Sequence, residues 1–182
     1  MIETVREKEK KAFEVLKEKF GITNQMASPK LEKVTISVGI GKKRDDKRML
    51  EVIEDRLSKI TGQKPVIVKA KKSIASFKVR AGDKSGFKVT LRGDAMYNFL
   101  DKFINIAIPR TKDFRGINPK SVDEMGNLTM GIKEHIIFPE TGDEELRDIF
   151  GLSVTVNTSA KSSDIAREFL TIIGIPFKKE TK

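Results

Sequence analysis

Residues 59–92 read KITGQKPVIVKAKKSIASFKVRAGDKSGFKVTLR. Two short apolar runs, 66–69 and 86–92, flank a stretch with turn composition, which is the pattern of strand, loop and strand. In the second run Phe87, Val89 and Leu91 alternate with Lys88, Thr90 and Arg92. That period of two predicts a strand with one buried and one polar face. Pro65 is confined to the start of the first run, where no ladder bond is lost. The same 34 residues hold ten Lys and Arg against a single acid, Asp83, a net charge of +9, while the whole chain carries +10. Concentrating charge this way costs self-repulsion, so a polyanionic partner is the economical explanation. A solvated basic loop is the alternative, although solvated faces ordinarily intersperse both signs.

Between the two strands, residues 70–85 form a protruding basic loop. Lys71, Lys72, Lys78, Arg80 and Lys84 surround Ile74, Phe77 and Val79, and Gly82-Asp83-Lys84-Ser85-Gly86 closes it as a turn. Loops of this length are uncommon in compact domains and often functional. Phe77 has two readings. It is a core anchor, the usual fate of Phe, or an aromatic contact to RNA held by the flanking cations.

Upstream, Ile2, Val5, Ala12, Phe13, Leu16 and Phe20 fall near one face of a helix over 3–19, with Gly21 placed to stop it. In 30–38, Val34, Ile36 and Val38 alternate with Lys33, Thr35 and Ser37, predicting another half-buried strand after Leu31. The following Gly39-Ile40-Gly41-Lys42 fails the spacing of a phosphate-binding loop and reads as a tight turn. Asp45 or Asp46 can cap a helix over about 46–61 with an apolar stripe of Met49, Leu50, Ile53, Leu57 and Ile60.

Downstream, Asp94 can cap a helix over about 95–107 that Pro109 stops. A loop-rich stretch from 110 to 126 carries Arg110, Lys112, Arg115 and Gly116. Leu128 to Met130, with a further run from Ile132 to Phe138, reads as strand. Residues 140–148 hold five acids and one Arg, a composition for a basic protein partner or for a solvated loop or short helix. Leu152, Val154 and Val156 alternate as a third strand. Ser162 or Ser163 can cap a last helix over about 163–173. No repeat or linker interrupts the chain. The expectation is one α+β domain over 1–182, largely an antiparallel sheet with helices on one face and an open basic face.

Composition excludes several chemistries. There is no cysteine, and His135 is the only histidine, so disulfides, thiolate catalysis and histidine-rich metal sites are not expected. No metal, cofactor or catalytic residue is assigned, and His135 reads as an ordinary surface or partly buried residue within a strand-like run. No run of 18 apolar residues suggests a membrane span, and the mixed-charge start, MIETVREKEKKAF, lacks an apolar signal core.

The block 57–74, LSKITGQKPVIVKAKKSI, closely resembles the signature of the large-ribosomal-subunit protein five family, and the likeness extends over nearly the full chain. It continues through Phe77-Lys78-Val79-Arg80, Lys88 to Gly93, Ile108-Pro109-Arg110, Asp113 to Gly116 and Met130 to Glu140, in a bacterial form. The resemblance implies a cytoplasmic, ribosomal protein of the central protuberance that is not an enzyme. Its sheet face would dock on 5S rRNA through Ser37, Gln63, Thr90 and Arg92. Lys33 and Lys64 are added nearby from charge. Ser37 stands where the family usually has Asn. Lys71, Lys72, Ser73, Phe77, Lys78 and Arg80 would approach the elbow of P-site tRNA. Arg110, Arg115, Glu140, Asp143, Glu144 and Glu145 would face small-subunit protein thirteen in an intersubunit bridge. 23S rRNA and other 5S-associated large-subunit proteins complete the implied partners, with no membrane among them. A general nucleic-acid-binding module or a nucleic-acid-processing enzyme is the alternative. It would require a recognition helix or a carboxylate cluster.

Overall fold

The structure, a computed structural model, describes residues 3–41, 46–141 and 148–178. Ile2, Asp45, Asp143, Glu144 and Glu145, all named above, lie outside the described residues. The fold is α+β. Five strands, β1 (Leu31–Gly39), β2 (Val66–Lys69), β3 (Lys84–Leu91), β4 (Leu128–Ile132) and β5 (Leu152–Thr158), form one largely antiparallel sheet in the order β2-β3-β1-β5-β4. Four α-helices accompany it: α1 (Val5–Phe20), α2 (Lys47–Thr61), α3 (Gly93–Lys102) and α4 (Ser163–Ile173). The chain divides into two compact units.

One unit comprises Met1–Val34, Arg92–Met130 and Thr155–Lys182. Thr4 and Glu7 close a capping box at the start of α1, and Gly21 ends it at φ +66. The helix buries Val5, Ala12 and Leu16 and packs against α3 and α4. Ser162 is the cap of α4, which buries Ala166, Phe169, Leu170 and Ile173. The expected cap Asp94 does not hold that position. Gly93, at φ +58, turns the chain one residue earlier, so Arg92 is the N-cap and Asp94 pairs with Arg6 at 3.1 Å. After α3 the backbone widens into a π turn over Phe103–Ala107.

The other unit comprises Thr35–Leu91 and Gly131–Val154. Asp46 caps α2 through the Met49 amide, and Gly62 ends the helix at φ +68. The stripe of Met49, Leu50, Ile53, Leu57 and Ile60 is buried as its spacing predicts, and α2 packs on β3. Phe87, Val89 and Leu91 are buried, as are Ile36 and Val38. β3 approaches β1 so closely that a Cβ on Gly86 would lie 2.4 Å from the Val38 carbonyl oxygen. Only glycine fits there.

The strand expected to continue to Phe138 ends at Ile132, and His135–Ile137 is a short 3-10 turn. His135, Ile137 and Phe138 are all buried, so burial here does not alternate. His135 is neither the surface nor the partly buried histidine the sequence suggests. It is 1% exposed, stacks on Phe150 with ring centres 4.2 Å apart, and receives the Arg56 guanidinium at Nε2 across 3.0 Å. The Phe150 amide points at the other ring nitrogen, Nδ1, from 3.4 Å, so both ring nitrogens face donors. Arg56, itself buried, also donates to the Asp148 carbonyl at 2.9 Å. Thr141 donates its hydroxyl toward the His135 and Phe138 carbonyls at 3.1 and 3.2 Å, completing the turn.

Candidate nucleic-acid interface

The basic window folds as a hairpin. β2 and β3 are antiparallel, with Val66 opposite Lys88, Ile67 opposite Phe87 and Val68 opposite Gly86, and a bulge after Val68. The loop expected at 70–85 is an extension of this hairpin, laced by its own backbone and short side chains. Ala70 and Asp83 bond at 2.8 Å, Gly82 and Ala70 at 2.9 Å, and Ile74 and Val79 bond in both directions. Ser73 Oγ accepts the Ala81 amide at 2.9 Å, and the Asp83 carboxylate accepts the Arg80 amide at 2.8 Å. The lone acid of the window and one of its serines thus hold the hairpin's shape. The tip is a 3-10 turn, Ala75–Phe77, closed by Lys78 at φ +52.

This lacing displays its side chains. Phe77 is 73% exposed, which overturns the core-anchor reading. Lys71, Lys72, Lys78 and Arg80 are exposed around it. Lys69, Lys71, Lys72, Arg80, Lys84 and Lys88 form no ion pair among the described residues, unlike Lys59 with Asp55 (2.7 Å) or Lys64 with Glu54 (3.4 Å). An unpaired, clustered set of cations is the electrostatic footprint of a polyanion site.

On the sheet, the polar side of β1 and β3 is the accessible one. Lys88 is exposed, and Thr35, Ser37 and Thr90 are half-buried. The Ile40 amide bonds the Ser85 carbonyl at 3.2 Å. Counting back along the two antiparallel strands brings Ser37 level with Lys88, and Thr35 level with Thr90. Ser37 Oγ lies 2.8 Å from Ser153 Oγ on β5. Gln63 and Lys64 precede Val66, the partner of Lys88, and so stand at the Thr90 end of the hairpin. The side chains of Gln63 and Thr90 form no hydrogen bond among the described residues. A shallow groove beside Gln63 is lined by Glu51, Glu54 and Asp55 of α2. Two of these acids, Glu54 and Asp55, pair with Lys64 and Lys59.

In the other unit, Lys33 is half-buried on β1, on the side opposite Val34, and Arg92 is exposed at the N-cap of α3. Arg110 and Arg115 are exposed on a loop of that same unit. Glu140 is exposed in the short 3-10 turn Pro139–Thr141 of its own unit. The structure therefore does not join Arg110 and Arg115 with Glu140 in one compact unit.

Two features escape the sequence. Val66 and Val68 share a face with Lys88 and are exposed at 67% and 40%, so the open face has an apolar margin at its edge strand. The register of β2 against β3 would reveal it, but the bulge hides that register from a simple count. Arg56 is the second, a buried cation with no pattern to mark it.

Among the described residues no cluster of three or more His, Asp or Glu could hold a metal ion, and no helix is long and apolar enough to cross a membrane.

Comparison with known proteins agrees over most of the length. The family described as ribosomal protein L5 matches residues 24–80, and the C-terminus model of the same ribosomal family matches residues 84–177. A large ribosomal subunit protein uL5 of Heliobacterium modesticaldum is 50% identical over 163 residues, 90% of this chain and 91% of the relative. The protein of the same name from Thermoanaerobacter sp. is 47% identical over 176 residues, 96% of this chain and 98% of the relative. That from Halothermothrix orenii is 47% identical over 164 residues, 90% and 92% of the two chains.

Proposed function

Since the chain belongs to the ribosomal protein L5 family, we propose that this structural constituent of the large ribosomal subunit binds 5S rRNA with its sheet face and reaches tRNA with its hairpin. The observation that carries the reading is the exposed set Lys69, Lys71, Lys72, Arg80, Lys84 and Lys88, which form no ion pair among the described residues, beside the free side chains of Gln63 and Thr90. Lysine and arginine supply salt-dependent attraction to phosphates. Ser37, Gln63, Thr90 and Arg92 supply hydrogen bonds that sense RNA shape and 2′-hydroxyls, with Lys33 and Lys64 at the margin.

The tip, with Lys71, Lys72, Phe77, Lys78 and Arg80, contacts the elbow of P-site tRNA. Ser73 acts there by holding the two arms together. Pre-ordering by backbone bonds lowers the entropy lost on contact. The acidic segment 140–148 faces the basic small-subunit protein thirteen at an intersubunit bridge. No step of this function is catalytic. The chain acts as one RNA-binding domain in the ribosome, beside 23S rRNA and the other 5S-associated proteins.

The test is a titration of the protein against 5S rRNA, with duplex DNA and unrelated structured RNA as competitors, over a salt series. Salt-dependent binding that survives a large excess of competitor is expected. Equal displacement by every competitor would reduce the basic window to a general polyanion surface.

A further inference from the structure

His135 is the only histidine of the chain, and it is buried between two donors. Arg56 Nη1 of α2 lies 3.0 Å from its Nε2, and the Phe150 amide lies 3.4 Å from its Nδ1. A neutral imidazole has one ring lone pair and can answer one of these donors. A protonated imidazole has none and answers neither. Protonation would also set a second cation 3.0 Å from a guanidinium, where both residues are buried.

Several contacts converge on this residue. Its ring stacks on Phe150 with the planes 5° apart, and its amide bonds the Phe150 carbonyl at 3.1 Å. Its carbonyl accepts the Thr141 hydroxyl at 3.1 Å. Arg56 Nη1 reaches both the ring and the Asp148 carbonyl. The turns His135–Ile137 and Pro139–Thr141, Phe150 and α2 are thus tied together at one side chain, all within one compact unit. Among the described residues, the charged groups carried around the ring begin with Arg56. Asp148 follows, with its carboxylate 3.8 Å from Arg48 of α2. Lys133, Glu134 and Glu140 flank the turns and are exposed. The charge that faces a ring nitrogen directly is the guanidinium, of the same sign as a protonated ring.

We propose that His135 is a pH-sensitive latch: the uncharged ring fastens the turns at 135–141 to α2, and a proton on the ring releases them. Once released into water the ring takes up a proton at the ordinary value of about 6.5. The released state then holds a proton that the fastened state does not. The latch is therefore at full strength above that value and weakens as the pH falls below it. The inference stands apart from the RNA-binding reading.

The test uses the full chain and a His135→Gln variant, which keeps an acceptor for Arg56 and carries no titrating group. Proton NMR follows the single His135 Cε1–H from about pH 8 to about pH 5, the window in which histidine titrates. Hydrogen exchange read by mass spectrometry, corrected for intrinsic rates, follows 133–141 and, as a control, α1. In the parent, opening of 133–141 should rise about tenfold between about pH 7.5 and about pH 5.5, because each pH unit below about 6.5 favours the protonated open state by about ten. Opening of α1, in the other unit, should change by less than about twofold, as should both segments in His135→Gln. Equal protection of 133–141 at the two pH values in the parent would overturn the proposal. So would a parent-like loss in His135→Gln, which would assign the effect to carboxylates. If the variant does not fold, the parent's NMR decides alone. A Cε1–H signal that titrates near the ordinary value of about 6.5 while the Thr141 and Phe150 amide signals stay in place would show a charged ring inside the closed turn, and would end the latch.

Discussion

The hydroxyls of Ser37 and Ser153 meet at 2.8 Å across β1 and β5. A hydroxyl held this way keeps acceptor capacity for an RNA 2′-OH but has little reach of its own. Ser37→Ala is therefore expected to weaken 5S rRNA binding by about two- to tenfold, the range of one neutral hydrogen bond. Ser37→Asn should bind at least as tightly as the parent. Filter binding or calorimetry reads both. A Ser37→Ala protein that binds like the parent would remove Ser37 from the interface.

His135 and Arg56 predict a loss of stability rather than of recognition. His135→Ala removes a stacked, buried ring and leaves a guanidinium without one of its acceptors. The expected cost is about 3 kcal/mol. Urea denaturation should show a lower midpoint with an unchanged slope, while the folded variant retains its 5S affinity.

Gly86→Ala should destabilise by at least about 2 kcal/mol, because the new methyl meets the Val38 carbonyl oxygen at 2.4 Å and neither strand can yield cheaply. Thermal melting compares it with Gly39→Ala, where a Cβ meets nothing within 4 Å.

Tyr97 is the only tyrosine in a chain without tryptophan, so its ultraviolet titration reports one site. Partial burial, with the hydrogen bond it donates to Glu9 at 2.6 Å, pushes its pKa up to about 12. The folded value lies above the unfolded one. Its stabilisation is thus fully present below about pH 10 and is lost as the pH rises toward 12. Tyrosinate absorbance should develop around pH 12 and shift downward in Glu9→Gln. A midpoint near the ordinary value of about 10 in the folded protein would contradict the contact.

Much of this fold is written in local patterns. α1, α2 and α4 carry apolar stripes between a capping side chain and a C-terminal glycine. β1, β3 and β5 alternate between buried and accessible residues along most of their length. Such signals survive because they depend on neighbours within a turn or two. The hairpin extension reads as a loose loop in the sequence because its lacing, Ser73 to Ala81 and Asp83 to Arg80, runs from side chain to backbone and has no period. The turn at 135–137 reads as strand because its partners are remote, Arg56 standing 79 residues from His135. Of the candidate interface, charge density locates the window. It does not say that Phe77 is exposed, or that Val66 and Val68 border the open face.

The most direct test of the division between sheet face and hairpin tip measures Arg92→Ala and Lys78→Ala side by side against 5S rRNA at several salt concentrations. Arg92 stands exposed just after β3, and Lys78 at the tip of the hairpin. If Arg92 reads 5S rRNA as proposed, Arg92→Ala should lower 5S affinity by about tenfold or more, and Lys78→Ala by no more than about threefold, since only the first would remove a charged hydrogen-bond donor from that contact. An Arg92→Ala protein that binds 5S rRNA as the parent does would contradict the assignment of the sheet face.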